Sequence, residues 1–141
     1  MVYAASGREP SVIGVFHGGI YPRDYEPTFD GQESTASFLP RMNAPLLAGF
    51  GELDRLVPLE NIRRFRGELE ALGKRARIQV FKDTPHGWMN ETRPEEYRHQ
   101  PSEIAWTLML EFFEQAFTGE LDLSASVEFL ADESIDFDFS L

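Results

Sequence analysis

Two short turns decide the fold of this chain: GELDRLVP at residues 51–58 and DTPHGW at residues 83–88. Each turn follows a short apolar run that predicts a buried strand. Loops at the carboxyl ends of parallel strands lie at one edge of the sheet, where α/β proteins bind ligands and do chemistry. We therefore expect Asp54 and His86 to face each other across a crevice. In such a pair the carboxylate orients the imidazole and stabilises its protonated form.

The strands predicted around these turns give the order of an α/β protein. Short apolar runs predict strands at residues 11–16, 46–50 and 78–81, and the first of them is also β-branched. Residues 20–44 show neither a helical nor an alternating period, which predicts a long loop. Strands that alternate with helices over short connections imply a parallel sheet. We expect about three parallel strands with flanking helices.

Two amphipathic helices are predicted, one between the last two strands and one after them. Leucine, isoleucine and phenylalanine recur at steps of three and four after Pro58, until Gly73 ends the helix as its C-terminal glycine. Ser102 is the predicted N-cap of the second helix. The apolar face of that helix is expected to extend to Phe117, just ahead of Gly119.

The composition limits the class of protein. A chain of 141 residues with 42% hydrophobic residues is long and apolar enough for one folded core. The absence of cysteine excludes a disulfide and a cysteine nucleophile within these residues, and it fits a cytoplasmic protein. No run approaches the roughly 20 apolar residues of a membrane span, so no membrane association is expected. The net charge of −11 argues against a nucleic-acid partner.

The negative charge is concentrated near the end of the sequence. Residues 119–141 hold seven acids and no Lys or Arg, which leaves −4 for residues 1–118. We therefore divide the chain into a domain at residues 1–118 and an acidic tail at residues 119–141. Residues 134–141 alternate apolar and polar, as one face of an extended strand would. The tail is interpreted either as disordered or as an added strand or docking peptide.

The two turns resemble those of a known family. The G-x-x-D-x-x-V-P turn at residues 51–58, followed by His86-Gly87 after the next strand, is similar to the carboxyl-terminal half of dienelactone hydrolases in the α/β-hydrolase fold. The resemblance covers about residues 1–118. It implies a partial α/β-hydrolase in which Asp54 is the triad acid and His86 the triad histidine. It also implies a small ester or lactone as the substrate.

The resemblance leaves the third member of the triad unassigned. In this family the nucleophile precedes the acid and the histidine and lies in a G-x-C/S-x-G elbow. Residues 1–6 resemble the end of the helix that follows the elbow, so we expect the elbow upstream of Met1. No serine of this chain stands in G-x-S-x-G. The chain is therefore expected to supply the acid and the histidine and to be inactive alone.

Other interpretations of the candidate site residues stay open. Asp54 could be an acid that interacts with the start of a helix, and His86 a loop histidine bonded to the backbone. The HGG run at residues 17–19 resembles an oxyanion motif of esterases, but no elbow follows it, which favours a close-packed turn. His17, His86 and His99 lack the spacing of metal ligands, and no dinucleotide or phosphate motif occurs, so neither a metal nor a cofactor is expected.

The alternative function is that of a non-catalytic module derived from a hydrolase. A sheet with part of its strands missing would expose an edge at residues 11–16, and an uncovered edge pairs readily with other strands. This predicts a homo-oligomer, or capture of a strand such as residues 135–141. A third interpretation is that the sequence is an artificial or mis-started fragment of a longer enzyme.

Overall fold

The computed structural model describes residues 9–18, 21–27, 29–123 and 126–141. These residues form one parallel sheet in the order β1-β2-β3-β4, with a long helix packed on each face. The strands are β1 (Ile13–Phe16), β2 (Leu46–Gly51), β3 (Ala76–Phe81) and β4 (Val127–Ala131). The helices are α1 (Leu59–Ala71) and α2 (His99–Thr118).

The predicted parallel α/β arrangement is confirmed, and the sheet has four strands where the sequence indicated about three. The fourth strand, β4, lies inside the acidic tail and pairs with β3 in parallel. Arg77 and Glu128 are direct cross-strand neighbours, and Arg77 Nε lies 2.7 Å from Glu128 Oε2. Because β4 is short and its pairing depends on β3, its sequence alone carries little strand signal.

Helix α1 begins and ends close to the predicted positions. Its apolar stripe buries Ile62, Phe65 and Leu69 against the sheet. At the end of the helix, Gly73 takes a left-handed φ of 60°. The Lys74 N–H then donates to the Leu69 carbonyl at 2.9 Å, which is the hydrogen-bond pattern of a Schellman ending. The predicted C-terminal glycine is therefore confirmed.

Helix α2 differs from its prediction at its start and on its face. It begins at His99, so Ser102 lies inside the first turn and is not the N-cap. The Ser102 hydroxyl lies 2.7 Å from the Arg98 carbonyl and 3.0 Å from the Trp88 carbonyl, to which it can donate. Phe117, expected on the buried face, is 68% exposed. The sheet covers only one side of a helix that is apolar on more than one side.

The long loop predicted at residues 20–44 contains two short 3-10 helices, Pro22–Tyr25 and Thr35–Arg41. Local turn hydrogen bonds hold these helices, for example from the Asp24 N–H to the Tyr21 carbonyl and from the Ser37 N–H to the Ser34 carbonyl. Such short helices leave no longer period in the sequence. Leu39 and Met42 of this region are buried in the core on the α1 side. The helix end expected at residues 1–6 lies outside the described residues, as does Gly19. No helix in the described ranges is long and apolar enough to cross a membrane.

The last residues of the chain pack against α1 and not beside the edge strand β1. Ile135 is buried, and Phe137 and Phe139 are half-buried against the same core, as the alternating pattern indicated. The Arg63 Nη1 donates to the Asp138 carbonyl at 3.2 Å. Residues 135–141 therefore bury their apolar face against the core beside α1. They do not form a strand, because they do not pair with an edge of the sheet.

The turns after β2 and β3 touch through their backbones. The Leu53 N–H donates to the Thr84 carbonyl at 2.9 Å, and the Glu52 N–H donates to the Phe81 carbonyl at 2.9 Å. A Cβ at Gly51 would lie 2.1 Å from the Thr84 carbonyl oxygen, far inside van der Waals contact. The two turns can approach this closely only because residue 51 has no side chain.

We therefore predict that Gly51→Ala separates the two turns. Because the blocking atom belongs to the backbone, the chain must shift, and we expect a loss of about 3 kcal/mol in the free energy of unfolding, measured by urea denaturation. Gly67→Ala, in the interior of α1, is the matched control, since its Cβ would meet only the two methyl groups of the flexible Leu141 side chain, at 3.2 and 4.0 Å. Alanine there should be neutral or stabilising by up to about 1 kcal/mol. Equal effects of the two changes would contradict this account.

Candidate active site

Asp54 lies in the turn after β2 and is only 3% exposed. Its Oδ1 accepts the N–H of Leu56 at 2.8 Å and that of Val57 at 3.1 Å. These bonds hold the turn ahead of α1, whose first residue is Leu59, so the carboxylate does not cap the first amides of the helix. Since the backbone fixes Oδ1, the direction of Oδ2 is fixed as well.

His86 lies opposite that free oxygen. Its Nδ1 is 2.8 Å from Asp54 Oδ2, and its side chain is 33% exposed. A carboxylate beside Nδ1 favours the tautomer that carries its proton on Nδ1, which leaves Nε2 able to accept a proton. The structure thus brings together the two residues that the sequence placed at neighbouring strand ends.

The turn that carries His86 is held at both ends by left-handed backbone. Asp83 has a φ of 52° and Gly87 a φ of 79°. The Asp83 N–H donates to Glu52 Oε2 at 2.8 Å, which ties this turn to the turn that carries Asp54. A non-glycine residue at positive φ is uncommon, and aspartate tolerates it better than most residues. Asp83 and Gly87 therefore fix the path of the backbone on both sides of His86.

His17 is a further imidazole at this site. Its ring centroid lies 6.0 Å from that of His86 and 4.9 Å from that of Trp88, and its φ is 55°. Burial lowers the pKa of His17 below its usual value, and the nearby His86 lowers it further, while Asp54 opposes the shift. The sequence indicated only a close-packed turn here. The HGG run at residues 17–19 could have indicated this position, because it places His17 directly after β1, the strand beside β2.

Trp88 packs against the His17 ring on its buried side. It is fully buried, with its ring centroid 6.1 Å from that of Phe16 and 4.8 Å from that of Phe81. Ala105 of α2 belongs to the same cluster. Trp88 therefore connects the His17 ring to the apolar face of α2.

An open groove of about 840 Å³ begins at the Asp54–His86 pair. Its wall is built from the turn after β2, the start of α1, Pro85 and, from the end of the chain, Phe137. No group of three histidine, aspartate or glutamate side chains within the described ranges is arranged to hold a metal ion.

The lowered pKa of His17 makes the stability of the fold depend on pH. The unfolded chain takes up this proton near pH 6.5, whereas the folded chain takes it up only at lower pH. Between these two values the unfolded state binds more protons, so stability falls as the pH drops through this window. We expect His17→Asn, which tolerates a positive φ, to remove this part of the pH dependence. Urea denaturation at pH values on both sides of 6.5 measures it, and an unchanged slope would contradict the assignment.

Comparison with known proteins places the chain in one family. The dienelactone hydrolase family profile matches residues 1–117. A provisionally assigned carboxymethylenebutenolidase of Escherichia coli O157:H7 is 36% identical over 74 residues, which is 52% of this chain and 27% of that protein. A protein of the same assignment from Methylorubrum extorquens AM1 is 28% identical over 74 residues, 52% of this chain and 25% of its own.

A solved structure shows the same fold. The crystal structure of a provisionally assigned dienelactone hydrolase from Klebsiella pneumoniae subsp. pneumoniae MGH 78578 matches with a TM-score of 0.67 at 23% identity, over 81% of this chain and 46% of that one. The matched region is thus about half of that structure and about a quarter of the curated relatives. The family match covers well over half of this chain, and the chain therefore belongs to the dienelactone hydrolase family.

Proposed function

We propose that this chain supplies the acid and the histidine of a hydrolase that acts on small esters or lactones. The contact of 2.8 Å between Asp54 Oδ2 and His86 Nδ1 carries the proposal. Membership of the dienelactone hydrolase family supports the reaction class. The name of the curated relatives, carboxymethylenebutenolidase, refers to a butenolide, which is a lactone.

In the proposed mechanism the two residues move one proton. Asp54 holds the His86 ring through Nδ1, so that Nε2 faces away and can accept the proton of a hydroxyl or thiol nucleophile. The nucleophile attacks the carbonyl carbon and forms a tetrahedral intermediate. His86 gives its proton to the leaving oxygen as the bond from that oxygen to the carbonyl carbon breaks, which leaves a covalent acyl intermediate. His86 then takes a proton from the water that attacks this intermediate and releases the acid. Asp54 stabilises the imidazolium in both steps.

The nucleophile of this mechanism is proposed to lie outside residues 1–141. These residues contain no cysteine, and none of their serines stands in G-x-S-x-G. Among the described residues, the His86 ring is hydrogen-bonded to the Asp54 carboxylate and not to a hydroxyl group. An acid–histidine pair without a nucleophile can orient and accept a proton but cannot complete acyl transfer.

We therefore predict that the 141-residue chain shows no triad hydrolysis. With phenyl acetate, an ester that a free imidazole attacks only slowly, its rate should equal that of the His86→Ala variant, because residues 1–141 contain no elbow nucleophile for His86 to activate. His99→Ala is the matched control for removal of an imidazole. Saturable hydrolysis that is lost in His86→Ala and kept in His99→Ala would contradict the prediction.

The coding sequence upstream of Met1 supplies the complementary test. An in-frame G-x-C/S-x-G at a strand-to-helix turn would provide the nucleophile. In the enzyme extended by that segment, Asp54→Asn should lower kcat by about 10⁴-fold with little change in fold, because the histidine loses its orientation. An extended enzyme that is active and insensitive to Asp54→Asn would refute the assigned roles.

We also propose a second candidate function, self-association. β1 lies at an edge of the sheet, and within the described ranges only β2 pairs with it. Phe113 of α2 lies over β1, since its ring would meet a Cβ at Gly14 at 3.1 Å. Leu110 and Phe117 lie on the same stripe of α2 as Phe113 and are 64% and 68% exposed. An unpaired edge beside exposed apolar side chains favours pairing with a second copy.

Light scattering tests this second candidate. A dimer or larger species is expected, and Leu110→Glu should convert it to a monomer because it places a charge in the apolar stripe. Leu72→Glu, at the exposed end of α1, is the matched control and should leave the mass unchanged. A monomeric parent chain would remove this function.

A further inference from the structure

The end of the chain is anchored beside the candidate active site. We call residues 132–141 the C-terminal segment. Lys82, just after β3, donates from Nζ to Ser134 Oγ at 2.6 Å and to the Ser134 carbonyl at 3.3 Å. Together with the bond from Arg63 to the Asp138 carbonyl, these contacts attach the segment both to the His86 turn and to α1.

Phe137 brings this segment to the groove that begins at Asp54 and His86. Its ring is held by the Arg63 guanidinium, 5.5 Å from the ring centroid, and by the Phe139 ring at 4.7 Å. The family match ends at residue 117, so this wall is contributed by a part of the chain outside the matched domain. A cation beside the ring and an aromatic neighbour both restrict its position.

The other walls of the groove are largely apolar and partly open. Leu53 and Leu56 are each about half exposed, and Pro58 and Pro85 line the same space. Large apolar side chains exposed in a concave site mark places where ligands bind. The volume of about 840 Å³ lies in the range of small-molecule sites, roughly 300–1,000 Å³.

The charges around the groove are mostly negative. Glu52, Glu60 and Glu96 line it together with Arg55. Glu96 is paired with Arg93 at 2.9 Å, while Glu60 lies in the first turn of α1. The net charge of the whole chain, −11, has the same sign. Such a field repels anions from the groove and leaves neutral ligands unaffected.

We propose that the C-terminal segment completes a ligand groove beside Asp54 and His86, and that this groove takes an uncharged apolar group, the aryl or alkyl arm of a neutral ester. Phe137 is then a specificity-determining residue that contacts this arm. The choice of an ester rests on the proposed function, whereas the groove and its preference for uncharged groups do not. A carboxylate at this position is disfavoured by the surrounding acids, so this chain would differ in substrate charge from the relatives whose name denotes a butenolide with a carboxymethylene group.

Binding of two matched probes to the full chain tests the inference without turnover. Phenylacetamide and phenylacetate differ in charge at nearly constant shape. We expect phenylacetamide to shift the NMR signals of His86 and Phe137 and to bind at least tenfold more tightly than phenylacetate. Absence of phenylacetamide binding, or equal binding of the two probes, would overturn the proposal.

Variants separate the aromatic wall from the charge. Phe137→Ala should weaken phenylacetamide binding at least fivefold, and Phe137→Leu should restore most of it. Phe29→Ala, which removes a ring that is 73% exposed and lies outside the groove lining, is the matched control. Glu60→Gln should strengthen phenylacetate binding severalfold and leave phenylacetamide unchanged. Unchanged phenylacetamide binding in Phe137→Ala, with the fold intact by circular dichroism, would refute the role of Phe137.

The binding measurements and the kinetic measurements can refute the groove and the proposed reaction separately. If the extended enzyme showed no dependence on Asp54 while phenylacetamide still bound beside Phe137, the hydrolase roles would be wrong and the groove would stand. If hydrolysis required Asp54 while neither probe bound, the groove assignment would be wrong and the hydrolase roles would stand.

Discussion

The contact between the two turns at Gly51 and Thr84 is the constraint on which the candidate site depends. Neighbouring strands run about 4.8 Å apart, and Gly51 and Phe81 are paired at the ends of β2 and β3. Beyond that pair the turns stay together through backbone hydrogen bonds, because no side chain at residue 51 holds them apart. The carboxylate and the imidazole meet at 2.8 Å as a consequence of this approach.

The burial of Asp54 follows from the same contact. A carboxylate removed from water is costly unless its oxygens are hydrogen-bonded. Two backbone N–H groups satisfy Oδ1, and His86 satisfies Oδ2. Since His17 is kept neutral by burial, the second imidazole adds no competing cation beside this pair. The charged neighbour of the His86 ring is therefore the Asp54 carboxylate and not a second imidazolium.

The chain beyond α2 takes part in both the sheet and the groove. β4 extends the sheet beside β3, and the residues after it turn back onto α1. The acidic composition of this region does not prevent packing, because the charged residues alternate with apolar ones. Ile135 and Phe137 face the protein, while Asp136 and Asp138 face water. Arg63, which donates to the Asp138 carbonyl, also places a positive charge near the Asp138 carboxylate.

The sequence by itself determined the parallel α/β arrangement, helix α1 with its glycine ending, and the placement of Asp54 and His86 at neighbouring strand ends. Each of these follows from local patterns, namely apolar periodicity, a C-terminal glycine and polar residues directly after buried strands. Only the tertiary structure decided the clearance at Gly51, the position of His17 and the strand β4. These depend on residues distant in sequence, and a local pattern does not state which surfaces will meet. The same reason explains why residues 135–141 showed their apolar face in the sequence, while α1 as its partner appeared only in the folded chain.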